Sequence, residues 1–264
     1  MESGEVEYVF NIPSKKNLKL EHVMERIRED KKLQTLWKCS NVMAIDRMGY
    51  TDHGPTHVKI VANLALKLLR ILINIKVEPS IVTNYGMKNE DAEVVVVLGS
   101  VFHDLGMIVI RNGHEKYSAL LASEFIEKFL DSIYSEEEKA IITSEVLHAI
   151  VAHEHPNKPL TLEAGIVGIA DALDMDSGRA RIPFEAGKVD IHSVSALSIE
   201  KVEIIEGEKK PITIKISMSD SAGVFQIDEL LKPRIEKSGL QEYFHVIAEI
   251  ACKKNNVIIK KFEI

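Results

Sequence analysis

The sequence predicts a mainly α protein: a helical domain over residues 1–190, followed by a small α+β domain of β-β-α-β-β order over residues 191–264. Three observations predict it. From Asn17 to Met175 apolar residues recur at three- and four-residue spacing. The most apolar run, Val94 to Phe102, suits a helix in the middle of a domain, with no face turned to water. From about Leu197 the period becomes two, with Ile212, Ile214, Ile216 and Met218 alternating with Thr213, Lys215 and Ser217.

In order, residues 1–16 are a polar lead-in. A helix from Asn17 would bury Leu20, Val23, Met24 and Ile27, and a shorter one would carry Leu33, Leu36 and Trp37. Gly49 to Pro55 is a loop by its breakers. The next helix sets His57, Ile60, Val61, Leu64, Leu68 and Ile71 at helical spacing, so His57 points into the core from the first turn. Pro79 to Asn89 reads as loop before the central helix, where Gly99 and Ser100 let another helix approach closely. Arg111-Asn112-Gly113 leads to His114 and a helix with Leu120, Leu121, Phe125 and Phe129. Ser135 followed by Glu136, Glu137 and Glu138 is an N-cap with an acidic first turn. Its helix buries Ile142, Val146, Ile150 and His153. Another, from about Thr161, carries Asp171 with Asp174 one turn later. Ser177 to Lys188 is a Gly/Arg loop. In the C-terminal part, Gly207 to Lys210 is a hairpin loop and residues 221–237 form a helix bent at Pro233. Asn255-Asn256 turns between two last strands.

At 264 residues the chain is long enough for this division. A net charge of −7 argues against general affinity for nucleic acid backbone, leaving only a local basic patch for it. Cys39 and Cys252 supply neither a disulfide framework nor a thiolate metal site. The first residues lack the basic and apolar parts of a signal peptide, and no apolar run approaches the ~20 residues that span a bilayer. The expected location is the cytoplasm, with no membrane partner.

Four positions stand where helical stripes converge: His57, His103 with Asp104, His153 and Asp171. Burying imidazoles and carboxylates together is costly unless something offsets the desolvation, and a divalent ion does that. Without thiolates, Mn, Fe, Co, Ni, Zn or Mg suit the set. His148 and His155 compete with His153 for its place. Taken singly, a histidine on an apolar stripe is most often a satisfied core residue, and His22, His192 and His245 are read so.

With these residues in place the chain resembles the HD-domain superfamily of metal-dependent phosphohydrolases. The matching pieces are Thr56-His57-Val58-Lys59-Ile60-Val61-Ala62, Phe102-His103-Asp104-Leu105-Gly106 and Gly168-Ile169-Ala170-Asp171-Ala172-Leu173-Asp174, in the family's order. The resemblance covers roughly residues 45–180. It implies that His57, His103, Asp104 and Asp171 hold a first metal. His114 and His153 resemble the additions of a two-metal subset, in which Asp104 would bridge the ions. Met107 stands where the family often has Lys, so any role of that lysine is absent or filled elsewhere.

The implied activity is that of a phosphohydrolase or phosphodiesterase acting on a small phosphate ester such as a nucleotide. A divalent ion lowers the pKa of bound water from about 15.7 toward about 7, so hydroxide would attack phosphorus with Asp104 at the centre. Arg179, Arg181 and Lys188, with Lys59 and Arg111, are the candidates to contact phosphate. His53 or His155 would protonate the leaving group. Asp174 and Asp176 could orient ligands from outside. Two rivals stand beside this reading: a non-catalytic HD module that binds a nucleotide or metal and signals, and a nucleic-acid phosphodiesterase, which the net charge disfavours. The C-terminal domain suits ligand binding or a homodimer.

Overall fold

Helices organise the N-terminal part of the chain in the computed structural model, which describes residues 10–175, 191–250 and 261–263, with backbone alone at residues 191–193 and 262. Helices α1 (Leu18–Glu29) and α2 (Lys31–Asn41) begin at side-chain caps. Asn17 accepts from the Leu20 amide and Asp30 from the Leu33 amide, satisfying first-turn donors that have no partner within the helix. Leu20, Val23, Met24 and Ile27 are buried on α1, and Leu33 and Trp37 on α2. Trp37 donates from Nε1 to the Val101 carbonyl at 3.1 Å, tying α2 to the centre of the molecule.

Helix α3 (Pro55–Asn74) starts on a proline, whose missing N–H is one of those unpaired donors anyway. It buries His57, Val58, Val61, Ala62, Ala65, Leu68, Leu69 and Leu72. Two residues of the expected stripe fall away from this face: Ile60 is exposed and Leu64 only half-buried. Ile60 lies about 100° round the helix from Val61, on the side the core does not reach. The stretch expected as loop after Pro79 contains a short helix, α4 (Ser80–Tyr85). Glu163, more than eighty residues on, accepts from the Ser80 amide at 3.2 Å and the Ile81 amide at 3.0 Å, and so caps it from afar.

Helix α5 (Asn89–Phe102) is the central one, buried from Val94 to Phe102. Around it lie α3, α6 (His114–Leu130), α7 (Glu136–Ala152) and α8 (Leu162–Leu173). On α6 the core face is Ala122, Phe125, Ile126 and Phe129, and Leu120, expected inside, is exposed. Ser135 and Glu138 cap α7 reciprocally, Ser135 Oγ accepting from the Glu138 amide and Glu138 Oε2 from the Ser135 amide. Thr161 caps α8.

The C-terminal part is α+β, as its sequence period predicts. It comprises α9 (Ile191–Leu197), β1 (Ile199–Glu206), β2 (Ile212–Met218), α10 (Val224–Gln226), a π-helical turn (Ile227–Leu231), α11 (Lys232–Ser238), β3 (Phe244–Ile250) and β4 (Lys261–Glu263). The sheet runs β1-β2-β3-β4, antiparallel except for the parallel β2–β3 pair that the helical crossover requires. The expected bend at Pro233 takes the form of the widened turn just before it, since proline has no N–H to donate. Thr213, expected on the polar face, is buried beside its strand partner His245. The turn at Asn255-Asn256 and the loop Ser177–Lys188 lie outside the described residues. Among the described residues, no helix is long and apolar enough to cross a membrane.

The turn after α5 (Leu105–Ile108) is pressed backbone to backbone against α6. The Gly106 amide donates to Ser118 Oγ at 2.7 Å, and a Cβ at Gly106 would stand 2.1 Å from the His114 carbonyl oxygen. Gly106→Ala is expected to destabilise the fold by about 1–3 kcal/mol or more through overpacking, read as a lower urea midpoint at unchanged m-value. A variant as stable as the parent would contradict this close approach.

Candidate metal centre

Helix ends deliver the histidines, and the free carbonyls of those ends orient them. His103 follows the last residue of α5, with Nδ1 2.7 Å from the Ser100 carbonyl. His153 does the same on α7, 2.6 Å from the Ile150 carbonyl. His114 opens α6 with Nδ1 2.9 Å from the Arg111 carbonyl, and His57 Nδ1 lies 2.6 Å from Asp174 Oδ2. The partners of His57, His103 and His153 only accept, so these imidazoles carry a proton on Nδ1 and point Nε2 inward, whereas His114 Nδ1 also lies 2.9 Å from the Arg111 guanidinium, which only donates.

The four Nε2 atoms form two pairs, 3.0 Å apart for His57 and His103 and 3.3 Å apart for His114 and His153. Asp104 stands between the pairs and divides its carboxylate. Its Oδ2 lies 3.2 Å from His57 Nε2 and 3.3 Å from His103 Nε2, while Oδ1 lies 3.0 Å from His114 Nε2 and 3.8 Å from His153 Nε2. Asp171 Oδ1 joins the first pair at 3.3 Å and 3.7 Å. Lone pairs facing one another across such gaps repel unless a proton or cation lies among them. Donors about 2.1 Å from one ion stand roughly 3.0–3.4 Å apart, so the donor set fits divalent ions as it stands. The groups that could hold a metal are His57, His103 and Asp171; His103, Asp104 and His153; and His114, His153 and Glu154.

Electrostatics agree with the geometry. Burial would raise the Asp104 and Asp171 carboxyls, but the surrounding imidazoles, joined at Asp171 by Arg234, hold both well below the usual range. Burial works against charge on His103, yet Asp104 and Asp171 push it up to about 9. His114 is raised by Asp104 against the same penalty. His153 is pushed down to about 3 by burial and by its positive neighbour His103. A proton on His103 thus supplies positive charge that these carboxylates call for.

The cluster forms the floor of a cavity of about 900 Å³. Asp171, at 17% exposure of its side chain, is the edge of the cluster that opens to it. Of the residues singled out from sequence, His53, Asp104, Arg111, His114, His153, His155, Asp171 and Asp174 line this cavity. His148 lies apart, its Nε2 accepting from the Leu160 amide at 2.9 Å, so it does not compete for the place of His153. Lys59 does not line the cavity: two residues past His57, it is about 200° round α3. Arg179, Arg181, Lys188 and Asp176 lie outside the described residues.

Two residues of the cavity escape sequence reasoning. Glu154 sits between Arg111 and Arg234, contacting each at 3.4 Å, and Arg234 also reaches Asp171 Oδ2 at 3.3 Å. Glu154 was legible in principle, as the middle of His153-Glu154-His155. Arg234 was not, because nothing in the sequence relates α11 to α8.

Comparison with known proteins agrees with this centre. Residues 55–176 match the HD domain family, a span that includes every histidine and aspartate of the cluster. The chain is also 46% identical over 232 residues to an uncharacterized protein, MJ1020, of Methanocaldococcus jannaschii, a match covering 88% of this chain and 90% of that one.

A metal that enters this cluster must displace the His103 proton. Below pH 9 that proton competes, so apparent affinity for Zn²⁺ is expected to rise about tenfold per pH unit between pH 6 and 8 and to level off above 9. Titration calorimetry in buffers of different ionisation enthalpy measures both affinity and proton release. Affinity independent of pH, with no proton released, would contradict a protonated His103.

Proposed function

The chain belongs to the HD-domain family of metal-dependent phosphohydrolases, and we propose that it hydrolyses a small phosphate ester, a nucleotide being the class that suits its cavity. The observation that carries this reading is the division of the Asp104 carboxylate, one oxygen to each pair of imidazoles. On this reading His57, His103, Asp171 and Asp104 would hold one divalent ion, and His114, His153 and Asp104 would hold a second. With no thiolate among the described residues of the cluster, Mn, Fe, Co, Ni, Zn or Mg are the candidates. When bound, such ions supply an acidified water and positive charge at the phosphoryl oxygens.

The protein's own contribution is position and proton. The Nδ1–H groups of His57, His103 and His153 are held by oxygen acceptors and the His114 ring is held by Arg111, so no ligand needs to turn when the site fills. Asp174 holds His57 in this way, from α8's own end. His53 is the acid we assign to the leaving group. Its loop is fixed by Asn41, whose Oδ1 accepts from the His53 amide at 2.9 Å, and its ring centre lies 5.7 Å from that of His57. Its positive charge also acts on Asp104. His155 lines the same cavity, on the opposite chain segment. Tyr50, Met175 and Leu230 give the cavity apolar surface beside the cluster, and its volume falls in the range that takes a nucleotide-sized ligand.

Purified protein is expected to contain divalent metal and to turn over phosphate esters with added Mn²⁺; Asp104→Ala is expected to abolish both turnover and the second metal equivalent. Full turnover in that variant sinks the proposal, and tight nucleotide binding without turnover in the parent favours a regulatory module instead. Asp174→Asn, which leaves the ligands intact, should weaken metal affinity or activity by about 10- to 100-fold. Metal analysis and initial rates on the same preparation separate these outcomes.

A further inference from the structure

Arg234 enters the cavity from outside the residues that match the HD domain. It lies on α11 of the C-terminal part, and α11 rests directly on α8, the helix of Asp171. Gly165 makes this contact close: a Cβ there would stand 3.0 Å from Ser238 Cβ. The guanidinium is therefore held over the cluster by packing as well as by charge.

Its contacts are not those of a settled ion pair. Arg111–Glu154, Arg234–Glu154 and Arg234–Asp171 are 3.4, 3.4 and 3.3 Å, against about 2.7–2.9 Å for a charge-assisted hydrogen bond. Glu154 gives one oxygen to each arginine and is bidentate to neither. The Arg234 Nε is buried without a hydrogen-bond partner among the described residues. A fork of five donors is thus only partly used, and it faces a metal cluster.

Charge then names the ligand. Among the described residues, Asp104, Asp171, Asp174 and Glu154 are the carboxylates around the cluster, and Glu115 and Lys116 on the cavity wall offset each other. With two divalent ions and the guanidiniums of Arg111 and Arg234, the filled site carries an excess of two positive charges, the charges of His53 and of the attacking hydroxide cancelling each other. A phosphomonoester dianion neutralises that excess and a diester monoanion does not. We infer that Arg111 and Arg234 form a clamp for the terminal phosphoryl group of a phosphomonoester, and that Glu154 holds the two guanidiniums until that group takes them. This rests on the two-metal phosphohydrolase reading above, and it makes the C-terminal part a wall of the active site.

The test uses full-length, Mn-loaded protein with inorganic phosphate as the probe, followed by calorimetry, beside KM values for a phosphomonoester and a phosphodiester. Arg234→Ala is expected to weaken phosphate binding by about 10- to 100-fold and to raise the monoester KM by a similar factor at unchanged metal content, with a smaller effect on the diester. Arg234→Lys, which keeps the charge and loses the fork, should fall between, and it decides the matter if the alanine variant does not fold. Glu154→Gln is expected to tighten phosphate binding, and that gain should vanish in the Glu154→Gln, Arg234→Ala double variant. Parent-like phosphate affinity in both Arg234 variants overturns the clamp while leaving hydrolysis by the parent intact. Loss of metal in either single variant, with phosphate affinity restored by excess Mn²⁺, also overturns it, making these residues supports of the metals. Arg234-dependent phosphate binding in a parent that hydrolyses nothing would sustain the clamp and remove the hydrolase reading.

Discussion

A carboxylate buried at the meeting point of four helix ends is the constraint on which the rest of this structure depends. Asp104 is 4% exposed, and an ionised carboxylate in that position is tolerable only if positive charge or donors surround it. Water is largely excluded, so the protein supplies imidazoles, and each imidazole must in turn be fixed. The carbonyls left free at the ends of α5 and α7 do this for His103 and His153 without any further side chain. Helix termination and ligand orientation are therefore the same event in two of the four cases.

Depth follows from the same requirement. The apolar run of α5 places its C-terminal end inside the molecule, where no exposed helix could carry His103 and Asp104. The turn that follows is then forced against α6 at Gly106, which brings Asp104 within 3.0 Å of His114. Core packing and site geometry are thus hard to separate. A change that loosens the turn moves Asp104 Oδ1 relative to His114, and removing one partner of such a buried pair costs about 3–5 kcal/mol.

What was legible in the sequence is what local pattern controls. The cap at Ser135, the helix starts at Asn17 and Thr161, the central helix, the change to period two and the order His57, His103-Asp104, Asp171 are all written in short stretches. The misplaced residues are those whose burial depends on neighbours. Ile60 and Leu120 are apolar and at helical spacing, yet the faces they occupy are exposed. Helix α4 has no cap of its own and relies on Glu163 from α8. Lys59 lies outside the lining of the cavity, since a residue two positions from an inward ligand points away from it. Arg234 shows the limit most plainly: its place beside Asp171 is a fact of how α11 packs on α8, and no periodicity records it.

That packing gives the site an order of filling. Without metal, the carboxylates of Asp104, Asp171, Asp174 and Glu154 face protonated His103 and two arginines, a balance that offers an anion little. Ions at the imidazoles displace protons but bring two charges each, so the sign of the cavity reverses as they enter. On the reading proposed above the arginines then lie on the positive side of an excess they helped to create; among the described carboxylates Asp104, Asp171 and Asp174 are held by histidines, and Glu154 by the two arginines. On that reading metal enters first and phosphate second. The loose contacts of Glu154 are the structural expression of that sequence: an anion already in the clamp, bound at distances that a phosphoryl group improves upon.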